Sequence, residues 1–283
     1  MALDGMAQFW TKDVFTCTES GQPRWCSTCS NWKPDRSHHS KELGRCIRKM
    51  DHYCPWMGGM ISETCKFQLQ KPIPCSYYLA FKFFIQFNVY AALFCIICLG
   101  VSSYALHLGL SRGSPVDPWI VLIVALGGFF GIFTFTLAAN SMRFVFLNLT
   151  TIDVLDYKVI TYWLAVRVSR SIKPTSAYKL ISLPPPDTSI SSAGINTFAI
   201  IQTEEGENPW DLGYGKNWKS IMGEHPIDWF LPLRSSPEIN YDSSISEYPL
   251  GPVYEALRIR HALGTIENHD EKPRRRRRHR TKH

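Results

Sequence analysis

The stretch "PWIVLIVALGGFFGIFTFTLAANSM", residues 118 to 142, contains no charged side chain. Neither does "FFIQFNVYAALFCIICLGVSSYAL", residues 83 to 106. About 20 apolar residues span a bilayer as a helix, so both runs are long enough. Their length and lack of charge argue against two buried core helices. The pair predicts a membrane hairpin with helices over 82–106 and 118–142 and a short non-cytosolic loop over 107–117. Gly127 and Gly131 have the GxxxG spacing that lets helices approach closely. The mean hydropathy of −0.12 conceals all this, because the apolar residues are clumped.

Working outward, Lys and Arg crowd both flanks. Lys33, Arg36, Lys41, Arg45, Arg48 and Lys49 precede the runs, and Arg143, Lys158, Arg167 and Arg170 follow them. The positive-inside rule places both flanks in the cytosol. Residues 1–25 show neither a hydrophobic signal nor a spanning run. Six of the nine cysteines (Cys17, Cys26, Cys29, Cys46, Cys54 and Cys65) fall on the cytosolic side. Disulfides are rare there, so these residues are metal ligands, nucleophiles or plain thiols. Cys95 and Cys98 read as small apolar side chains within the first span. Residues 143–181 look helical in places, "LPPPDTSISSAGIN" (183–196) reads as a loop, and "TFAIIQ" (197–202) as a strand. The basic end "EKPRRRRRHRTKH" closes a tail over 233–283. Beside a membrane it faces anionic lipid, at about 1 kcal/mol per basic residue, and no nucleic-acid partner is expected.

Cys26 and Cys29 form a CxxC pair, and His39 and Cys46 follow. Three thiolates and one imidazole make a closed tetrahedral zinc set. His38 precedes His39, and the sequence leaves open which of them ligates. Then comes "RKMDHYCPWMGG", residues 48–59. Asp51, His52, Tyr53 and Cys54 stand in a row, with Pro55 and Trp56 after them. The row reads as a rigid loop, stiffened by Pro55 and anchored by Trp56, that offers a thiol beside a base.

Taken together, "CSTCSNWKPDRSHHS", "RCIRKMDHYCPW", "LTTID" and "NPWDLGYGKNW" resemble the DHHC-type protein S-acyltransferases, in the fungal branch with an Asp-His-Tyr-Cys motif. The resemblance runs from about Trp25 to Pro232. It implies an enzyme that moves a long acyl group, such as palmitoyl, from acyl-CoA to cytosolic cysteines of other proteins. Cys54 would be the nucleophile and carry the acyl intermediate, His52 the general base, and Asp51 the group that orients it. Arg48 and Lys49 would attract CoA phosphates. The family's second zinc set falls on Ser40, Leu43, Tyr53 and Met60, none of them its usual Cys or His. One structural zinc is therefore expected. Thr150, Thr151 and Asp153 match the family's Thr-Thr-x-Glu with a shorter acid. Asn208, Pro209, Trp210, Asp211 and Gly213, with Asn217 following, match a motif expected to dock the tail on the membrane helices.

The expected architecture is an α-helical integral membrane protein with two spans in this chain and a small zinc-stabilised, cysteine-rich cytosolic domain. Its segments are an N-terminal stretch (1–25), the cysteine-rich domain (26–65), an insertion (66–81), the two spans with their loop, a cytosolic region (143–232) and the tail (233–283). The family commonly has two further spans before the cysteine-rich domain. Their lack here suggests a coding sequence that begins at an internal Met, and "KFQLQKPIPCSYYLA" (66–80), which interrupts the family's direct passage into a membrane helix, reads as a gene-model error or else as a real interfacial loop. The competing reading is a catalytically impaired, zinc-stabilised membrane adaptor or a truncated fragment.

Overall fold

The computed structural model describes residues 9–62, 78–156, 161–169, 172, 175–183, 195–234, 236–237 and 248–263. Cys65, residues 66–77 of the expected insertion, residues 184–194 of the expected loop and the basic end after 263 lie outside them.

Short strands come first in the chain: β1 (Val14–Thr16), β2 (Trp25–Cys26), β3 (Asn31–Trp32), β4 (Ser37–Ser40), β5 (Arg45–Arg48), β6 (His52–Cys54), β7 (Gly59–Ser62) and β8 (Tyr78–Ala80). Two long helices follow, α1 (Phe81–Ser111) and α2 (Pro118–Phe146), then the short α3 (Thr151–Asp156). The rest comprises β9 (Trp163–Val168), β10 (Lys179–Leu183), β11 (Asn196–Gln202), α4 (Tyr214–Met222), α5 (Pro226–Phe230) and α6 (Pro252–Arg260).

At 31 and 29 residues, α1 and α2 are about 46 and 43 Å long at 1.5 Å per residue. Asp117 caps α2 by accepting a 2.9 Å hydrogen bond from the Trp119 amide, and Pro118 occupies the first turn, where its missing N–H costs nothing. These are not core helices. Phe94, Ile97, Phe129, Ile132 and Phe135 all stand exposed on their outer faces. The two helices pack on each other at the glycines. A Cβ on Gly127 would lie 3.4 Å from the Leu99 amide nitrogen, and one on Gly131 the same distance from the Cys95 Cβ.

Sequence reading missed a four-stranded antiparallel sheet of order β1-β9-β11-β10. Part of the region expected to be helical is the strand "WLAVRV", whose apolar residues alternate between two faces. Leu164, Val166 and Val168 join Ala199 and Ile201 on one face. Ala165 joins Phe198, Ile200, Phe9 and Phe15 on the other. Phe9, Phe15 and Cys17, from the stretch before residue 25, thus contribute to this core. So does part of the expected tail: α6 lays Tyr254 and Leu257 on the first face, and Leu257 is 0% exposed.

The fold places two units at one end of the helix hairpin. The cysteine-rich unit rests on the start of α1, where Phe84 packs against Cys54 and Ile61. Residues 78–80, expected to be part of an insertion, pair in parallel with β7 and run straight into α1. The C-terminal region is held by a ladder on another face of α1. Lys82 donates to the Arg234 carbonyl at 2.9 Å, Gln86 to those of Asp228 and Trp229 at 3.1 Å, and Tyr90 to that of Phe230. The spacing i, i+4, i+8 puts all three donors on one stripe. Because α6 supplies core side chains, Leu257→Ala should destabilise the sheet by about 2–5 kcal/mol. Limited proteolysis of the detergent-solubilised chain checks this, with cleavage expected to speed up between residues 161 and 202. Unchanged protection would mean that α6 is a dispensable appendage.

Candidate active site and metal-binding cluster

Two hairpins build the metal cluster. In the first, Cys26 pairs with Asn31, and Cys29 stands in the connecting turn. In the second, His39 and Cys46 face each other across β4 and β5. His39 Nδ1 lies 3.2 Å from Cys29 Sγ and 3.6 Å from Cys26 Sγ, and Cys46 Sγ lies 3.8 Å from Cys29 Sγ. All four candidate ligand atoms fall within 4.8 Å of one another. A tetrahedral zinc with Zn–S bonds of about 2.3 Å has S···S edges of about 3.8 Å, so the donor set fits that ion in number, chemistry and size. Strand alternation decides between the neighbouring histidines. His38 lies opposite Ile47 in the register, and the cluster takes His39.

Among the described residues no second group of this kind forms. Ser40 donates to Glu42 at 2.7 Å and accepts from the Leu43 amide at 3.2 Å. Met60 and Ile47 form a small apolar core with Leu43 and Met50 against it. Tyr53 pairs with Met60 across β6 and β7 but is 40% exposed, so it does not fill this core.

The residues 52–54 expected in a loop form the strand β6, and alternation is what makes the row workable. His52 and Cys54, two apart, lie on one face of the strand, and Tyr53 on the other. The hairpin turn follows at Pro55–Gly58, where Gly58 has φ +68° and its amide donates to the Pro55 carbonyl at 3.2 Å. Trp56, expected to be an anchor, is 79% exposed. Burial against α1 holds the motif instead. The Cys54 side chain is buried beside Phe84, and the Phe84 ring meets His52 edge-on at 4.9 Å.

Asp51 is the most heavily bonded group of the row. Its Oδ2 accepts from His52 Nδ1 at 2.5 Å and from Thr151 Oγ1 at 2.8 Å. Its Oδ1 accepts from the Thr151 amide at 2.7 Å. With Nδ1 carrying the proton toward Asp51, His52 keeps Nε2 as its base. Asp51, His52 and Cys54 all line a cavity of about 690 Å³ between α1 and α2, walled by Phe87, Phe130 and Phe133. Cys17 differs: burial, aided by the charge of Asp35, pushes its thiol up to about 12, which leaves it inert.

Arg36 was not singled out from the sequence, yet it fastens the cysteine-rich unit to the helix exit. Its guanidinium donates to Asn148 Oδ1 and to the Asn148 carbonyl, both at 2.8 Å, and to Asp153 Oδ2 at 2.9 Å. Burial raises the Asp153 carboxyl, but the Arg36 charge and hydrogen bonds outweigh it and hold it below its usual range. The shorter acid of the Thr-Thr-x-Asp stretch therefore still reaches a cation. The Asn-Pro-Trp-Asp stretch docks on the same exit. Asn208 donates to the Leu147 carbonyl at 2.9 Å, and Asn217 to that of Phe146 at 2.7 Å. Of the two expected phosphate contacts, Arg48 ends β5 half-buried. Lys49 is buried, with its ammonium 5.7 Å from the Tyr248 ring centre. The signal for Arg36 was present as a cation inside the quoted "KPDRSHH", but nothing local shows that its partner lies 117 residues away.

One metal ion per chain is expected on purification, and Cys29→Ala should release it and unfold the two hairpins, since structural-zinc binding energy is folding energy. Tyr53→His should leave the count at one, because Ser40, Leu43 and Met60 supply no second ligand set. Elemental analysis returning two ions, in the parent chain or the Tyr53 variant, would contradict the apolar replacement.

Comparison with known proteins agrees with this geometry. The family model described as DHHC palmitoyltransferase matches residues 19–66. Palmitoyltransferase pfa5 of Aspergillus fumigatus is 40% identical over 269 residues, covering 90% of this chain and 57% of its own length. Palmitoyltransferase pfa5 of Emericella nidulans is 35% identical over 298 residues, covering 90% and 56%. Palmitoyltransferase PFA3 of Yarrowia lipolytica is 29% identical over 231 residues, covering 77% and 47%. The chain spans about half the length of the curated relatives it matches. With its cysteine-rich domain matched and the similarity continuing through both long helices and beyond, the chain resembles the DHHC palmitoyltransferases over most of its length.

Proposed function

We propose that this chain is the catalytic portion of a protein S-palmitoyltransferase. It would carry a long-chain acyl group from acyl-CoA to protein cysteines through a thioester on Cys54. The observation that carries the reading is the placement of Asp51, His52 and Cys54 on the wall of one apolar cavity between two long apolar helices. A volume of about 690 Å³ lies within the usual range of about 300–1,000 Å³ for small-molecule sites. The lining on α2 runs from Phe144 to Phe130, about 21 Å of helix, which suits an extended acyl chain. The close contact of Gly127 and Gly131 with α1 then shuts the far end.

The steps follow from the side chains. His52 Nε2 takes the proton of the Cys54 thiol, and Asp51 stabilises the imidazolium through Nδ1. The thiolate attacks the acyl-CoA carbonyl, a thioester forms on Cys54, and CoA leaves with the proton that His52 returns. A substrate cysteine then loses its proton to His52 and takes the acyl group, which restores Cys54. Phe84 and the cavity wall keep water from the thioester. Zinc would be held by Cys26, Cys29, His39 and Cys46 and would supply stability to the hairpins rather than chemistry. Arg48, half-buried at the end of β5, would attract the CoA phosphates.

Both units sit at the same end of the helix hairpin, and both sequence flanks are basic. We read the hairpin as crossing a membrane twice, with both units in the cytosol and the 107–117 loop outside. The acyl group would then be handed over at the membrane surface, and lipid would cover the exposed faces of α1 and α2. The adaptor reading drew on the loss of the second metal set and on the shortage of spans. The packed core under Met60 supplies that set's structural part and leaves Cys54 and His52 in place.

Cys54→Ser should abolish hydroxylamine-sensitive acyl labelling, and His52→Ala should slow it by about 10²–10⁴-fold. In-gel labelling of the membrane-embedded chain reads both. Label that persists in Cys54→Ser but disappears when another cysteine is replaced would move the nucleophile elsewhere.

A further inference from the structure

Next to Asp51 lies a second and much smaller space. Its volume is about 20 Å³, and Asp51, Ser62, Asn148 and Thr150 are among its walls. Asp51 lines both spaces, as does Phe144. The strand register explains why Ser62 is there. His52 pairs with Ile61 at the end of the β6–β7 ladder, and the Asp51 amide donates to the Ile61 carbonyl at 3.0 Å, which keeps Asp51 next to the end of β7 that carries Ser62.

Ser62 is 1% exposed, and its hydroxyl has no hydrogen-bond partner among the described residues. A buried hydroxyl left so costs about 1–3 kcal/mol. Thr150 Oγ1 accepts from the Asp153 amide at 3.1 Å and its proton goes to the Asp153 carboxylate, which leaves the oxygen one lone pair to accept with. Each Asp51 oxygen can accept about two hydrogen bonds, and among the described residues Oδ1 accepts from the Thr151 amide alone. The space thus combines two hydroxyls and a carboxylate oxygen with spare capacity. About 10–15 Å³ suffices for a single water, which needs two to four polar partners.

We propose that this space holds one ordered water, bound by the hydroxyls of Ser62 and Thr150, which donates a further hydrogen bond to Asp51. Ser62 is then a positioning residue for the acyl transfer. It acts through the water on Asp51, and through Asp51 on the orientation of His52. The inference rests on the catalytic reading of Asp51, His52 and Cys54 given above. No bond to the acyl group is involved, and Ser62 touches no reacting atom.

The test uses the isosteric pair Ser62→Thr and Ser62→Val in the full chain, so that added volume is common to both and only the hydroxyl differs. Acyl loading of Cys54 should stay near the parent rate in Ser62→Thr. It should fall about tenfold in Ser62→Val, with unchanged half-saturation by acyl-CoA and unchanged zinc content. Equal rates in the two variants would overturn the proposal, and so would a loss confined to half-saturation. A second measurement is independent of activity. A high-resolution experimental structure of the parent chain should place a water within about 3.2 Å of Ser62 Oγ and of Asp51. A dry space there would sink the proposal even in an active enzyme. Such a water in a chain that never loads Cys54 would leave the site standing and refute the catalytic reading instead.

Discussion

The carboxylate of Asp51 is the joint on which the site turns. It accepts one hydrogen bond from His52, its own neighbour, and two from Thr151, 100 residues further along the chain. The first sets the tautomer of the base. The other two fix the strand that carries His52 and Cys54 to the point where the second long helix ends. A carboxylate that satisfies three donors is held in one orientation, and a charged acceptor makes each bond stronger than a neutral one. The base is therefore aimed by a group that also clamps two parts of the fold together.

Around that joint the cysteine-rich unit is small, and its strands are two to four residues long. Such a unit buries too little to stand on its core alone. Two devices compensate. A metal held by Cys26, Cys29, His39 and Cys46 would staple two hairpins, and Ile47 and Met60 pack into a small apolar core. Arg36 then ties the unit to Asn148 and Asp153 through a buried charge pair. Breaking such a pair from one side leaves an uncompensated charge, which is costly in a way that replacing both partners is not. The family's acid at this place is a Glu. Asp153 is shorter and still meets its cation at 2.9 Å.

What could be read from the sequence was whatever local pattern encodes. Two uncharged runs gave the long helices, and CxxC spacing gave half of the metal cluster. The row from Asp51 to Cys54 gave three side chains that line one cavity, although its backbone is a strand and not a loop. Alternation in β6 separates Tyr53 from His52 and Cys54, which a loop would not guarantee. The four-stranded sheet was missed because its strands come from residues 14–16 and from 163–202, and a three-residue strand carries no periodicity of its own. The burial of α6 was missed because an amphipathic helix of nine residues next to a run of arginines reads as tail. Arg36 and the ladder of Lys82, Gln86 and Tyr90 were missed for another reason. Their partners lie more than 100 residues away, and only the fold brings them together.

The claim most in need of a direct test is that Asp51 and Thr151 act as one unit in aiming His52. A double-mutant cycle of Asp51→Asn and Thr151→Val, read as the rate of acyl loading on Cys54, isolates it. Residues that share hydrogen bonds show coupling of about 0.5–3 kcal/mol. The account predicts coupling in that range, with the double variant little worse than Asp51→Asn alone. Strictly additive losses would contradict it, because they would mean that Thr151 serves the site by some route other than the carboxylate.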